Sequence, residues 1–432
     1  MMNNLLEKIE QDTDKLRQML PEVFSDWNDL FQAYFHFTAE VGGKIDGQPF
    51  PKERVREFHE RYHRWTLYDH TFGCPDNCTY CWFTTKYPPD PKKALEQHIA
   101  LKEKEREIIH KNLPDIIITS MYFGGGTPTI LTPELLKRLI SGYMKDFKFI
   151  ENPEISIEAH PNTINEKKLD MIRDTSVNRL SMGIQSLDDN ILKGIKRSYD
   201  SKKARRSIQD TLKYFSKVNI DLMYGLKEQT LQKHYDSLQE LVDLGVPQIT
   251  NYTLWLQQGS GVYDDFSKNP KQYPSPTERV KMYFLTKHYL ESQGYKETLI
   301  GWFSKPHNEV KIYNERWIEE IPCIGIGVGA YSYSKDWHYW NVTDWNTYKK
   351  MVENNTISAD KGFVFGEKEK RATRLMWNIK TAIGFNPSNT DKQILQPFAD
   401  KGLFNIEDDT YRISNLGKAV GEWIIGKIIR TI

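Results

Sequence analysis

From about residue 65 the chain alternates between short apolar runs and long charged stretches with helical spacing. The candidate strands are WTLYDHTF (65–72), IIITSMYFGG (116–125), EISIEAH (154–160), RLSMGIQ (179–185), NIDLMYG (219–225) and QITNYTLWL (248–256). Between them lie ALEQHIALKEKEREIIHKN (94–112), PELLKRLISGYMKDF (133–147), SKKARRSIQDTLKYFSK (201–217) and LQKHYDSLQELVDLG (231–245), which read as amphipathic helices. Strands that alternate with helices pair in parallel through right-handed crossovers. Six such units predict an α/β architecture, an incomplete (β/α)6 TIM-like barrel whose site lies at the C-terminal ends of its strands. The barrel and its elaboration, including the glycine-rich CIGIGVGAYSY (323–333), are expected to span 63–345.

The flanks read differently. Residues 1–62 form a charged, helical extension, in which WNDLFQAYFHF (27–37) places Trp27, Phe31, Tyr34 and Phe35 on one helix face. That face either docks on the barrel or covers the mouth of a site. Residues 346–432 end in a helix, a short hairpin and a helix, which predicts a small winged-helix-like domain.

A chain of 432 residues has room for these units. A net charge of +1 argues against a general nucleic-acid or membrane-surface binder. Aromatic residues make up 12% of the chain, which suits a large core and also an aromatic pocket for a flat substrate. MMNNLLEKIEQDTDKL has no signal-peptide pattern, and no apolar run is long enough to span a bilayer. The expectation is a soluble, cytoplasmic protein.

Three of the four cysteines fall in TFGCPDNCTYCWF (71–83), as Cys74, Cys78 and Cys81; the fourth is Cys323. Four unevenly spaced cysteines do not make a disulfide framework, and a local group points to a metal. Three thiolates on a tight loop can hold three corners of a cubane iron–sulfur cluster, leaving one iron open to a small molecule. Structural zinc prefers four closed ligands; no second cysteine pair is present, although His70 could be recruited.

With Tyr80 before the third cysteine, this spacing resembles the signature of radical S-adenosylmethionine (SAM) enzymes. The resemblance implies a [4Fe-4S] cluster whose open iron is chelated by SAM, and one-electron cleavage of SAM to methionine and a 5′-deoxyadenosyl radical. MYFGGGTPTIL (121–131) follows about 40 residues later; its glycines allow close backbone approach and free amide donors for a carboxylate. EISIEAHPNTI, NRLSMGIQSLDDNILKGIKR, NIDLMYGLKEQT and IGIGVGAYSY then follow in order. Together, over about 65–335, they resemble the HemN-like subgroup, built around oxygen-independent coproporphyrinogen III oxidase.

In that subgroup two SAM molecules sit side by side, and the resemblance carries its ligands onto this chain. Tyr68, Tyr80 and Gly125 match contacts to the first SAM, as does Glu158, whose carboxylate suits ribose hydroxyls. Gly126, Thr127, Gln185, Arg197 and Asp221 match contacts to the second. Thr253 and Tyr331 match positions where the family mainly contributes backbone. Read alone, Arg197 belongs to a basic run, KGIKRSYDSKKARR, that resembles a solvated face.

Two departures bear on the reaction. Phe83 stands where the oxidase has a further cysteine, and TFGC lacks the proline that often precedes the first cysteine. Both weaken the case for coproporphyrinogen decarboxylation, and the extra cysteine is missing from the heme chaperones too. The reading placed first is the class C radical SAM methyltransferases, which also lack that cysteine and in which a second SAM supplies a methyl or methylene group to an unsaturated carbon. Tetrapyrrole oxidation and heme trafficking are the alternatives; PHNEVKIYNERW (306–317) keeps His307 and Asn308 of a stretch found in the heme chaperones, without its spacing. Anaerobic heme ring opening ranks below them, because GVGAYS differs from that group's strand. The expected partners are a flat or unsaturated small-molecule substrate and a reductant of the flavodoxin or ferredoxin type, with no nucleic acid and no membrane insertion. No catalytic acid or base stands out by spacing, DWHYWN (336–341) included.

Overall fold

A computed structural model describes residues 2–25, 50, 57, 60–81 and 91–432. The aromatic stretch 27–37 and Phe83 lie outside the described residues.

Six strands follow the expected alternation: β1 (Arg64–Thr71), β2 (Ile117–Gly125), β3 (Lys148–Ala159), β4 (Arg179–Gln185), β5 (Val218–Tyr224) and β6 (Gln248–Thr253). Each pairs in parallel with the next. Their apolar side chains are buried, with Leu67, Ile118, Leu180, Ile220 and Ile249 all 0% exposed. Strands covered on both faces need such near-continuous apolar runs, and each burial contributes roughly 1.5–3 kcal/mol. The crossover helices Pro133–Asp146, Glu166–Arg173, Ser201–Tyr214 and Leu231–Asp243 are capped by Thr132, Asn165, Asp200 and Thr230. Each cap side chain accepts a first-turn amide that would otherwise lack a partner.

β3 starts at Lys148, six residues before the expected strand. Asn152 is in the left-handed region (φ 54°), and the β2–β3 register shifts between Ile118 and Ser120. The interruption at Asn152–Pro153 hides the first half of the strand from period-two reading.

The sheet continues beyond these strands. β7 (Lys296–Leu299) and β8 (Trp302–Ser304) add antiparallel strands beside β6. β9 (Cys323–Ile326) lies parallel to β1, and β10 (Tyr331–Tyr333), β11 (Trp337–Asn341) and β12 (Ala359–Val364) extend the other side antiparallel. The result is one twelve-stranded mixed sheet with β12 and β7 at its ends. β12 lies past residue 345, so strand pairing crosses the boundary expected there.

β13 (Phe404–Glu407) and β14 (Thr410–Ile413) form a separate hairpin between the helices Asn389–Ala399 and Gly421–Thr431. The N-terminal helix Met2–Met19 lies against Pro276–Ser292, where the Asp12 carboxylate meets His288 Nε2 at 2.7 Å. Among the described residues no helix is long and apolar enough to cross a membrane.

Candidate active site

The cysteine loop leaves β1 and lies directly against the glycine-rich turn after β2. The Gly126 amide donates to the Thr71 carbonyl (2.5 Å) and the Thr127 amide to the Gly73 carbonyl (2.7 Å). A Cβ on Gly126 would collide with the Gly73 carbonyl. One on Gly125 (φ +98°) would lie 2.8 Å from the His70 ring and the Thr71 oxygen. Only glycine permits this approach. The sequence reading reserves these amides for a carboxylate, whereas those of Gly126 and Thr127 hold the loop's own backbone. Thr127 Oγ1 also lies 3.3 Å from Cys74 Sγ. On its other side the loop is tied at Thr79, whose amide donates to Ile195 and whose carbonyl accepts from Val262 (3.3 and 2.9 Å).

Asp76, between the first two cysteines, is buried beneath the loop. Its carboxylate accepts from His160 Nε2 (2.7 Å), from the Ser198 amide (3.3 Å) and from the Ser198 hydroxyl. His160 Nδ1 accepts the Asn162 amide, which assigns the ring proton to Nε2. Burial alone would raise the Asp76 carboxyl, but the bonds from His160 and Ser198 and the charge of Arg197 hold it down at about 2.

Arg197 places Nη1 3.5 Å from Asp76 and donates from Nη2 to the Gly183 carbonyl (3.0 Å). Its side chain is only 7% exposed, whereas Lys193, Lys196 and Lys202 of the same basic run are exposed. Its Nε–H is buried without an acceptor.

A cavity of about 580 Å³ opens at these strand ends. Of the residues singled out by sequence, Tyr80, Cys81, Glu158, Asp221, Thr253 and Tyr331 line it. Tyr68 and Gln185 sit one layer back. The Tyr68 hydroxyl is 3.0 Å from Nδ1 of the wall residue His70, and Gln185 Oε1 accepts from the wall residue Tyr252 (2.9 Å). Gln185 has φ 71°, a left-handed conformation unusual for a side-chain-bearing residue and more common at functional sites. Gly125, which ends β2, and Cys74, Cys78, Gly126, Thr127 and Arg197 of the surrounding loops are not part of the wall.

Two carboxyls line this cavity. Burial, followed by repulsion from Asp221, raises Glu158 to about 8, while Tyr122 donates to it at 2.9 Å. Burial raises Asp221 to about 6 against an opposing bond from Asn219 (2.6 Å). At neutral pH Glu158 is therefore mainly a protonated acid, and a cationic ligand entering here would favour ionisation of both groups.

Aromatic rings make up much of the rest of the wall. Trp302 meets Tyr313 edge-on (4.3 Å), Tyr313 lies 4.8 Å from Trp317, and Trp317 stacks on Trp377 (4.5 Å, 9°). His338 and Trp340, from the DWHYWN stretch, pack at 4.1 Å and join the same wall.

Cys323 lies outside the cluster. It pairs with Thr66, five residues up β1 from Thr71, which is about 16 Å of strand. Among the described residues no three His, Cys, Asp or Glu side chains converge as they would on a single metal ion. A cubane makes a different demand, because its three thiolates bind three different irons.

The comparisons agree with this geometry. Residues 68–241 match the Radical SAM superfamily. The heme chaperone HemW of Buchnera aphidicola subsp. Acyrthosiphon pisum is 30% identical over 270 residues, covering 62% of this chain and 69% of that protein. The chain belongs to the radical SAM superfamily. The heme chaperone HemW of Bacillus subtilis is 25% identical over 384 residues, covering 84% of this chain and 99% of that protein. The solved structure of coproporphyrinogen III oxidase, HemN, from Escherichia coli superposes with a TM-score of 0.74 at 22% identity, over 88% of this chain and 93% of that one. This radical SAM protein therefore shares the α/β fold of HemN and falls in the HemN-like subgroup.

The superfamily implies a [4Fe-4S] cluster and SAM, and the residues present fit them. Cys74, Cys78 and Cys81 are thiols rather than disulfides on one loop, and Cys81 faces the cavity. The buried Nε–H of Arg197 is a donor to which a ligand oxygen could bond. Sequence reading missed Asp76, His160 and Tyr252. Asp76 is visible within CPDNC as an acid between two cysteines, but its partners arrive from 84 and 122 residues away.

Proposed function

We propose that this protein is an enzyme that holds a [4Fe-4S] cluster on Cys74, Cys78 and Cys81 and acts on a flat, unsaturated small molecule in the adjoining cavity. The observation that carries this reading is continuity. One cavity is lined both by Cys81, Glu158 and Asp221 and by Trp302, Trp317 and Trp377. With cluster and SAM bound, the chemistry supplied is reductive cleavage of the sulfonium to an adenosyl radical, with electrons from a flavodoxin- or ferredoxin-type donor. The chain's own residues position and shield. Glu158 offers a carboxyl to ribose hydroxyls, Arg197 and Gln185 offer donors to a methionine carboxylate, and the rings exclude water from a reactive site. The six parallel strands are read as the incomplete barrel, and 389–431 as the winged-helix-like unit.

The relatives shift the order of the possible transformations. They are named for heme chaperoning and coproporphyrinogen oxidation, so a tetrapyrrole is the first substrate class to test. Methyl or methylene transfer, which the sequence places first, becomes the second reading. Phe83, where the oxidase has a cysteine, supports it over oxidation though not over chaperoning, and it requires a second SAM.

Anaerobic reconstitution followed by dithionite and SAM separates these outcomes. 5′-Deoxyadenosine formed in step with porphyrinogen loss, without S-adenosylhomocysteine, supports oxidation. Both nucleosides together support methyl transfer. Tight heme binding without turnover supports a chaperone. A chain that takes up no iron and sulfide overturns the proposal.

A further inference from the structure

Asp76 is the one acidic residue of the cysteine loop, and nothing in cluster ligation requires it. Its side chain is fully buried. Its partners come from two separate places. His160 lies two residues beyond Glu158 at the end of β3, and Arg197 and Ser198 follow the helix Asp189–Gly194. One carboxylate thus joins the loop carrying the cysteines to the residue beside Glu158 and to Arg197 itself.

The geometry points to Asp76 as a positioning residue that sets the Arg197 guanidinium against the cysteine loop; the inference rests on the proposed role of Arg197 as a ligand for a SAM carboxylate. A guanidinium binds a carboxylate through a fixed fork of N–H groups, so its orientation decides which donors a ligand can reach. Here the orientation is over-determined. Nη1 faces Asp76, Nη2 donates to the Gly183 carbonyl, and the guanidinium lies 5.6 Å from the centre of the Tyr199 ring. Tyr199 is in turn anchored through its hydroxyl to the Gly183 and Ile184 carbonyls (3.1 and 3.0 Å). These contacts leave Nε–H as the buried donor without an acceptor. The Ser198 amide and hydroxyl bind the same carboxylate, so the residue after Arg197 is fixed along with the guanidinium. Without Asp76, the cation would lose its only carboxylate partner among the described residues, and its side chain could turn away from the loop.

The test is a double-mutant cycle on reconstituted protein, with D76N, R197K and the double variant. The readouts are SAM dissociation constant, iron and sulfide per chain, and the melting temperature of the apoprotein. D76N is expected to keep its iron and to bind SAM about tenfold more weakly, with the double variant no weaker than R197K alone. A purely structural Asp76 would instead give additive losses, which overturns the inference. So does a D76N variant with unchanged SAM affinity while R197K weakens binding. If R197K leaves SAM affinity unchanged, the ligand reading of Arg197 fails first. Should D76N not fold, S198A removes one bond to Asp76 and keeps the carboxylate. It is expected to weaken SAM binding by about threefold in the wild-type background and not at all in R197K; loss in both backgrounds overturns the inference.

Discussion

In and behind the cavity wall, polar side chains are held by hydrogen bonds, with Glu158 on Tyr122, Asp221 on Asn219 and Gln185 on Tyr252. The aromatic part of the wall is made of rings contributed by β8, β11 and the helices Lys311–Trp317 and Glu367–Lys380, and those rings hold one another. The first arrangement fixes directions, which suits a ligand that never changes. The second offers area with little directionality, which suits recognition by shape. The polar set is therefore specified by chemistry and the aromatic set by fit.

That division can be attacked through either set. The largest effect is expected from Cys81→Ala, which removes one of the three proposed cluster ligands; iron and sulfide content and 5′-deoxyadenosine formation should both fall to background. Gly126→Ala comes next. Its Cβ would press on the Gly73 carbonyl, and overpacking of this kind costs about 1–3 kcal/mol, read as a lower melting temperature together with lower iron retention. Trp377→Ala probes the aromatic set. It should weaken substrate binding by about tenfold while leaving SAM affinity in the absence of substrate unchanged; an equal loss of both would erase the distinction between the two sets.

The smallest effect is a pH dependence. Glu158 is raised from 4.5 to about 8, so the folded protein keeps a proton that the unfolded chain releases. Stability should therefore fall as pH rises from about 4.5 to 8 and level off above that. Glu158→Gln removes this slope. The stability lost between pH 5 and pH 8 is on the order of 1 kcal/mol, kept small because the carboxyl faces the open cavity and shares its titration with Asp221. Paired denaturation curves at the two pH values check it.

The same division governs what could be read from the sequence. Strand positions were legible because buried parallel strands require apolar runs, and β4 coincides with its expected limits at Arg179 and Gln185. The grouping of Cys74, Cys78 and Cys81 on one loop was legible because their spacing is local. The burial of Arg197 was not: within its own basic run it looks solvated, and it is held by Asp76 and Gly183 from elsewhere in the chain. An aromatic pocket was suggested by composition, but its members were not legible. Trp317 and Trp377 are 60 residues apart in the chain, and no periodicity announces that they will stack. The early start of β3 was hidden by a local interruption at Asn152.

β1, which delivers the cysteine loop, is flanked by β2 on one side and by β9 on the other, and β9 begins at Cys323. The turn after β9 is fastened by the Gly327 amide to Glu105, a buried carboxylate that also accepts from Tyr348 and Asn341. While a ribosome is still producing the first 320 residues, β1 therefore has a bare edge and Glu105 lacks these three partners. Contacts so distant along the chain form late. Iron–sulfur loading is accordingly expected to follow the completion of synthesis, so a chain truncated before Cys323 should emerge with its cysteines intact and retain little iron on reconstitution.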